Sequence, residues 1–120
     1  MSTVRSALVS ALLLLASAAP AFAADVTGEL VDQTCYMKDK HKNIGVGHQD
    51  CATLCALKGQ TLAIVTDNGE VIAIAGELTA DKNAQLVPHM SHRVIVKGEI
   101  TEKDGAKVIN GTEIRMAAKR

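Results

Sequence analysis

Apolar and polar residues alternate over much of this chain, and the alternation marks strands before any other feature does. Val26 to Tyr36 (VTGELVDQTCY) opens with apolar residues at every second place. That is the period of a strand with one buried face, and it predicts a first strand. Thr61 to Thr66 (TLAIVT) and Glu70 to Ala75 (EVIAIA) predict a second and a third, joined by Asp67-Asn68-Gly69. Asn-Gly between two apolar runs is a hairpin signal, because both residues accept the positive φ of a tight turn. Val94 to Thr101 and Lys107 to Met116 predict a fourth and a fifth strand across a second turn, Asp104-Gly105. Asn110-Gly111 inside the last one marks a bulge or bend.

Two stretches break the alternation. His48 to Lys58 (HQDCATLCALK) has the composition of a helix. Lys58 suits the negative end of its dipole, and Gly59 can take the left-handed cap. Thr79 can cap a short helix over Ala80 to Leu86, which Pro88 keeps from continuing. Between the first strand and the first helix, Lys38 to Gly47 reads as a basic, glycine-containing loop. The order is β-α-β-β-α-β-β. Five short strands in a flat sheet would leave open edges, and closure removes them. The expected fold is therefore mainly β, a five-stranded OB-like barrel with two short helices.

The first residues have a different character. Arg5 precedes an apolar run from Ala7 to Ala19, Pro20 ends it, and Ala21-Phe22-Ala23 has the small-x-small form of a cleavage site. The run is shorter than the ~20 residues of a membrane span. The expected division is a signal peptide at 1–23 and a single OB-like domain at 24–120. No Cys follows the cleavage site, so no lipid or membrane anchor is expected, and the location is periplasmic or secreted. Such a compartment permits disulfides.

Over Val26 to Met116 the chain resembles the small exported OB-like domains found in many bacteria. The residues that carry the resemblance are Val26-Thr27-Gly28, Cys35-Tyr36, the segment with His48, Cys51 and Cys55, the Leu62 to Ile74 hairpin, and Val94 to Gly98. The resemblance implies the fold and the exported compartment. It implies no activity.

Charge and aromatic content exclude the best-known use of such a barrel. The formal net charge is +0 and drops slightly when Arg5 leaves with the leader. There is no Trp, and removal of Phe22 leaves Tyr36 as the aromatic residue. A chain without excess basic charge or stacking platforms has no means of holding nucleic acid.

The distinctive chemistry is Cys35, His48, Cys51 and Cys55. Three cysteines are an odd number for an oxidising compartment. With about 100° per helical residue, Cys51 and Cys55 fall within about 60° of His48, on one stripe. Cys35 can fold back onto that stripe through the loop. Three readings stay open. Three thiolates and an imidazole suit zinc, and thiolates also select Cu(I). Alternatively, Cys35 pairs with Cys51 or Cys55 and staples the helix to the barrel. Thirdly, a thiolate beside His48 is a nucleophile or redox centre. That last reading lacks a third orienting group, and C-x3-C is not the usual redox spacing. Haem attachment lacks its C-x-x-C-H motif.

Other polar residues carry less. His89-Met90-Ser91-His92 has soft donors, but a turn with Met90 packed into the barrel end is the plainer expectation. His41 and the lysines Lys38, Lys40 and Lys42 read as a solvated loop. Asp32 would need a second acid nearby for acid–base work, and the spacing supplies none. The Asn110-Gly111-Thr112 sequon lies within an expected strand. No glycine loop has the Lys-Ser/Thr of a phosphate cradle. The expectation is a small periplasmic protein, not an enzyme, that binds copper or zinc through Cys35, His48, Cys51 and Cys55. The alternative is a disulfide-stapled module without metal, which binds an envelope protein through the barrel face or the Lys38–Gly47 loop.

Overall fold

A computed structural model of the chain describes residues 21–118. Five strands, β1 (Ala21–Asp32), β2 (Leu62–Val65), β3 (Val71–Ala75), β4 (Arg93–Lys103) and β5 (Ala106–Met116), close into a barrel in the order β1-β2-β3-β5-β4. The β3–β5 contact is parallel and the other four are antiparallel. This is the mainly β, OB-like barrel that the alternation predicts. The signal peptide expected at 1–23 falls largely on residues 1–20, outside the described residues. Ala21 to Ala23 form the first rungs of β1, opposite Thr101 to Glu99. Cleavage after Ala23 would take those three rungs and leave the pairing that runs from Ala24–Gly98 to Glu29–Arg93.

β1 serves two neighbours. Its first part pairs with β4, its last four residues pair with β2, and Glu29 pairs with both. The turning point has a glycine for a steric reason. A Cβ on Gly28 would collide with the Val65 carbonyl oxygen and sit 2.6 Å from Ile64 Cγ2. The expected bulge is present on β5. Lys97 pairs with Glu113 and the next residue, Gly98, pairs with Gly111, so Thr112 has no partner in the ladder.

The inward residues Leu30, Leu62, Ile64, Ile72, Ile74, Val94, Val96 and Ile109 fill the barrel, and Leu78, Leu86 and Met90 plug it. Burying each such side chain is worth about 1.5–3 kcal/mol. This core cluster has no aromatic residue and is filled by branched aliphatic ones instead. A second, smaller cluster lies on the outside, where Val31, Ala63 and Val65 pack with Tyr36, Ile44 and Val71. β2 is therefore buried on both faces.

Between β1 and β2 the chain leaves the barrel and returns. This insertion comprises α1 (Gln33–Lys38), a loop, a single 3-10 turn (Val46–His48) and α2 (Gln49–Leu57). The first strand was expected to reach Tyr36. It ends at Asp32, and Cys35 and Tyr36 are helical. Tyr36 is drawn into the outer cluster, a tertiary contact that overrides its strand propensity. α2 meets the core through Ala52 and Ala56, both fully buried.

The second expected helix is also different. Instead of one helix over Ala80 to Leu86 there is a 3-10 turn (Glu77–Thr79), a short kinked helix α3 (Ala80–Asn83) and a second 3-10 turn (Val87–His89). Asp81, Lys82 and Asn83 have positive φ. Thr79 caps no helix, and its hydroxyl donates to the Gly76 carbonyl at 2.8 Å. The reason is Asn83. Its buried side chain donates to the carbonyls of Ala56 and Gln60, both at 2.9 Å. It thereby ties α3 to the end of α2, where the Ala56 carbonyl also accepts the Gly59 N–H at 2.9 Å. A left-handed asparagine is a mild strain for two buried hydrogen bonds.

Candidate metal centre

The insertion brings three ligating side chains together at the point where β1 ends. Asp32 is the last residue of β1, where it pairs with Leu62. The Gln33 N–H donates to the Thr61 carbonyl at 3.2 Å and fixes the exit of the chain. One turn into α1 stands Cys35, and its backbone carbonyl accepts from Asn43 Nδ2 at 2.6 Å. Cys55 comes from α2. One carboxylate oxygen of Asp32 and the sulfurs of Cys35 and Cys55 lie within 4.8 Å of one another. All three cysteines are free thiols.

Asp32 is fully buried, and neither of its carboxylate oxygens has a hydrogen-bond partner. Burying a polar group without a donor costs about 1–3 kcal/mol, more for a charged one. The polar groups beside it are the two thiols. The Asp32 carboxylate beside the Cys35 thiol, together with burial, pushes that thiol up to about 12. Burial, and then the charge of Asp32, push the Cys55 thiol up as well. Both sulfurs therefore stay protonated in neutral water. They are poor nucleophiles until something takes their protons.

Of the four residues singled out in the sequence, Cys35 and Cys55 meet, while His48 and Cys51 stand outside the 4.8 Å group. Cys51 is exposed for a geometric reason. The core-facing line of α2 is Ala52–Ala56. Cys55 is about 60° from Ala52 and Cys51 about 100°. His48 sits at the N-cap of α2 and makes no side-chain cap. Its Nε2 is buried without a partner, and together with the two Asp32 oxygens it completes the set of such atoms among the described residues.

The sequence reading weighed Asp32 only as an acid. A signal was present, however. Val26, Gly28, Leu30 and Asp32 share one parity of β1, so the alternation itself puts a carboxylate on the core face. Of the loop expected over Lys38 to Gly47, Lys38 instead closes α1 and Val46 and Gly47 enter the 3-10 turn, while its basic residues are solvated as expected. Asp39 Oδ1 accepts the N–H groups of His41 and Lys42 at 3.1 and 3.2 Å, and Lys38, Lys40, His41 and Lys42 are exposed. Met90 is fully buried in the barrel end.

A search of protein-family models, curated proteins and solved structures finds no match to the chain. Among the described residues no helix is long and apolar enough to cross a membrane.

Proposed function

We propose that this is a small exported metal-binding protein, not an enzyme, whose centre is formed by Asp32, Cys35 and Cys55. The observation that carries the reading is the fully buried Asp32 carboxylate, without a donor and flanked by two thiols. A cation there would neutralise the carboxylate and take the place of the thiol protons. The donor set favours zinc over copper. Zinc accepts oxygen, nitrogen and sulfur alike, whereas Cu(I) prefers soft donors and gains little from a carboxylate. Tetrahedral zinc holds its donors about 3.3–3.8 Å apart, so the three side chains, already within 4.8 Å of one another, need to draw in by at most about 1–1.5 Å. His48, with its unpartnered Nε2, is the candidate for the fourth position.

A second reading has its own observation. The sulfurs of Cys35 and Cys55 lie within 4.8 Å of each other, so a two-electron oxidant of the exported compartment, such as a disulfide exchanged onto the two thiols, would join them with loss of both protons. The product would be a stapled module with Cys51 left over. Closing a loop of this size stabilises by about 3 kcal/mol.

One experiment separates the two. The protein is exported by its own host, purified without reductant, and weighed intact under native and then denaturing conditions. A native excess of one metal ion, lost on denaturation, with all three thiols then open to alkylation, supports the metal centre. Elemental analysis names the ion, and Asp32→Asn, Cys35→Ser and Cys55→Ser should each lose it. A chain two hydrogens light, with Cys51 alone alkylated and no excess mass, replaces the metal centre by the staple.

A further inference from the structure

Away from the Asp32 centre, the barrel places an imidazole against a thioether. His89 Nδ1 lies 3.3 Å from Met116 Sδ. The two backbones are fixed independently. His89 ends the 3-10 turn Val87–His89, where its N–H donates to the Leu86 carbonyl at 2.9 Å, and the next residue, Met90, is fully buried. Met116 ends β5 opposite Val94, and beyond it the Ala117 N–H donates to the Arg93 carbonyl at 2.9 Å.

We propose that His89 and Met116 form a two-donor site for a soft monovalent cation, Cu(I) or Ag(I), separate from the Asp32–Cys35–Cys55 centre. Neither side chain is explained by packing. Met116 is 51% exposed, so its apolar surface contributes little burial. A thioether is a weak acceptor and gives the half-buried imidazole little as a hydrogen-bond partner. Imidazole nitrogen and thioether sulfur are, however, the pair of neutral donors that copper(I) favours over zinc or magnesium. The imidazole is also ready to ligate. Burial, and then the nearby charge of His92, hold His89 below the ordinary histidine range, in the neutral form a ligand needs.

The geometry needs little adjustment. With bonds of about 2.0 Å to nitrogen and 2.3 Å to sulfur, a near-linear ion separates its donors by about 4.3 Å. The flexible, exposed Met116 side chain supplies the extra ~1 Å by changing rotamer. A two-coordinate ion at such a position keeps a face open to solvent and to exchange. The site therefore suits an ion that is passed on better than one that is stored.

The test uses Ag(I), which needs no protection from oxygen. The whole chain is made with Cys35, Cys51 and Cys55 all replaced by Ser and with its methionine methyl groups labelled with carbon-13. NMR then follows each methyl group during titration. One equivalent of Ag(I) should move the Met116 methyl and leave Met37 and Met90 in place. Changes beyond the direct ligands already cost 10–100-fold in metal affinity, so Met116→Leu and His89→Gln should each weaken binding by about a hundredfold. An unmoved Met116 methyl, or unchanged affinity in Met116→Leu, overturns the proposal. Should the triple-serine chain fail to fold, the same spectra are taken on the unsubstituted chain. There, Ag(I) added after the thiols are saturated must still move Met116, and a static resonance overturns the site. Because the first titration contains no thiol, its result is independent of the Asp32 centre.

Discussion

The barrel and its insertion are built on different terms. The barrel interior is a continuous set of branched aliphatic side chains, closed on itself with no free edge. The insertion from Gln33 to Gln60 has short helices, two small alanines facing the core, and Val46, Leu54 and Leu57 left exposed. Among the described residues, the three buried side-chain oxygen and nitrogen atoms that lack a partner lie at the junction of the two, on Asp32 at the end of β1, and within the insertion, on His48. Away from that junction the described barrel residues pair the side-chain oxygens and nitrogens they bury, while the junction and the insertion withhold partners from a few. A scaffold that stands without its site can leave the site's polar groups unpaired, and those groups are then available to a ligand.

The comparison can be broken in several places. The largest effect belongs to the barrel. Ile64→Ala empties a fully buried place at its centre and should cost about 2–5 kcal/mol in denaturant unfolding. The chains that remain folded should hold as much metal as before. If metal is lost in proportion to stability, scaffold and site are not separable.

Asn83→Ala acts on the seam between the two regions. It takes one donor from the Ala56 carbonyl, which keeps the Gly59 N–H, and one from the Gln60 carbonyl, a loss of about 1–3 kcal/mol. Hydrogen exchange should quicken in α2 far more than in β2 or β3. Uniform quickening would mean that the insertion and the barrel open together.

Metal uptake should depend steeply on pH. Both thiols are held in the protonated form, Cys35 with a value of about 12, so a cation must displace their protons. Apparent zinc affinity should then rise with pH, by up to about a hundredfold per unit when two protons leave. A competition titration at several pH values checks this, and a flat profile would exclude both sulfurs as ligands.

A smaller effect sharpens the picture at the barrel wall. Burial raises Glu29 above the ordinary carboxylate range, against the lowering effect of the Gly45 N–H and of His92. The folded chain therefore holds this proton more tightly than the unfolded one. The corresponding stability is present below the unfolded value near 4.5 and is lost as pH rises through the folded value. Glu29→Gln should stabilise the protein at neutral pH, by about 1 kcal/mol or less, and have no effect in acid. Thermal melts across the pH range measure the difference. The smallest change is expected from the surface pair Arg93–Asp67, where NH1 and NH2 reach the two carboxylate oxygens at 2.6 and 3.1 Å. Arg93→Ala should cost about 0.2–1 kcal/mol because the pair is solvent-exposed.

The barrel was legible in the sequence because strand alternation and turn residues are local. Asp67-Asn68-Gly69 and Asp104-Gly105 stand where the hairpins turn, and Asn110-Gly111 stands beside the bulge. α1 and the early break of the second helix at Asn83 were not legible because their causes are remote. Tyr36 answers to a cluster on the outside of β2, and Asn83 answers to carbonyls 27 and 23 residues away. The site was half legible. Residue type pointed to Cys35 and Cys55, while Asp32 was visible only through its parity with Leu30. A single carboxylate on an apolar face is easily passed over when the search is for pairs of acids.

The double allegiance of β1 also orders events in time. β4 and β5 meet across a two-residue turn, and β2 and β3 across a loop nearly as short, so both hairpins can form within microseconds. β1 is different. Its partners are β2, reached only after the whole insertion, and β4, some seventy positions further on. Contacts of such long range carry the entropy of closing the chain and set the pace of folding. Asp32 is the last residue of β1. Cys35 follows it by three residues and stays near it from the start, whereas Cys55 must wait for the insertion to fold back, so a chain caught before that closure would hold one thiol beside the acid and leave the other unrestrained.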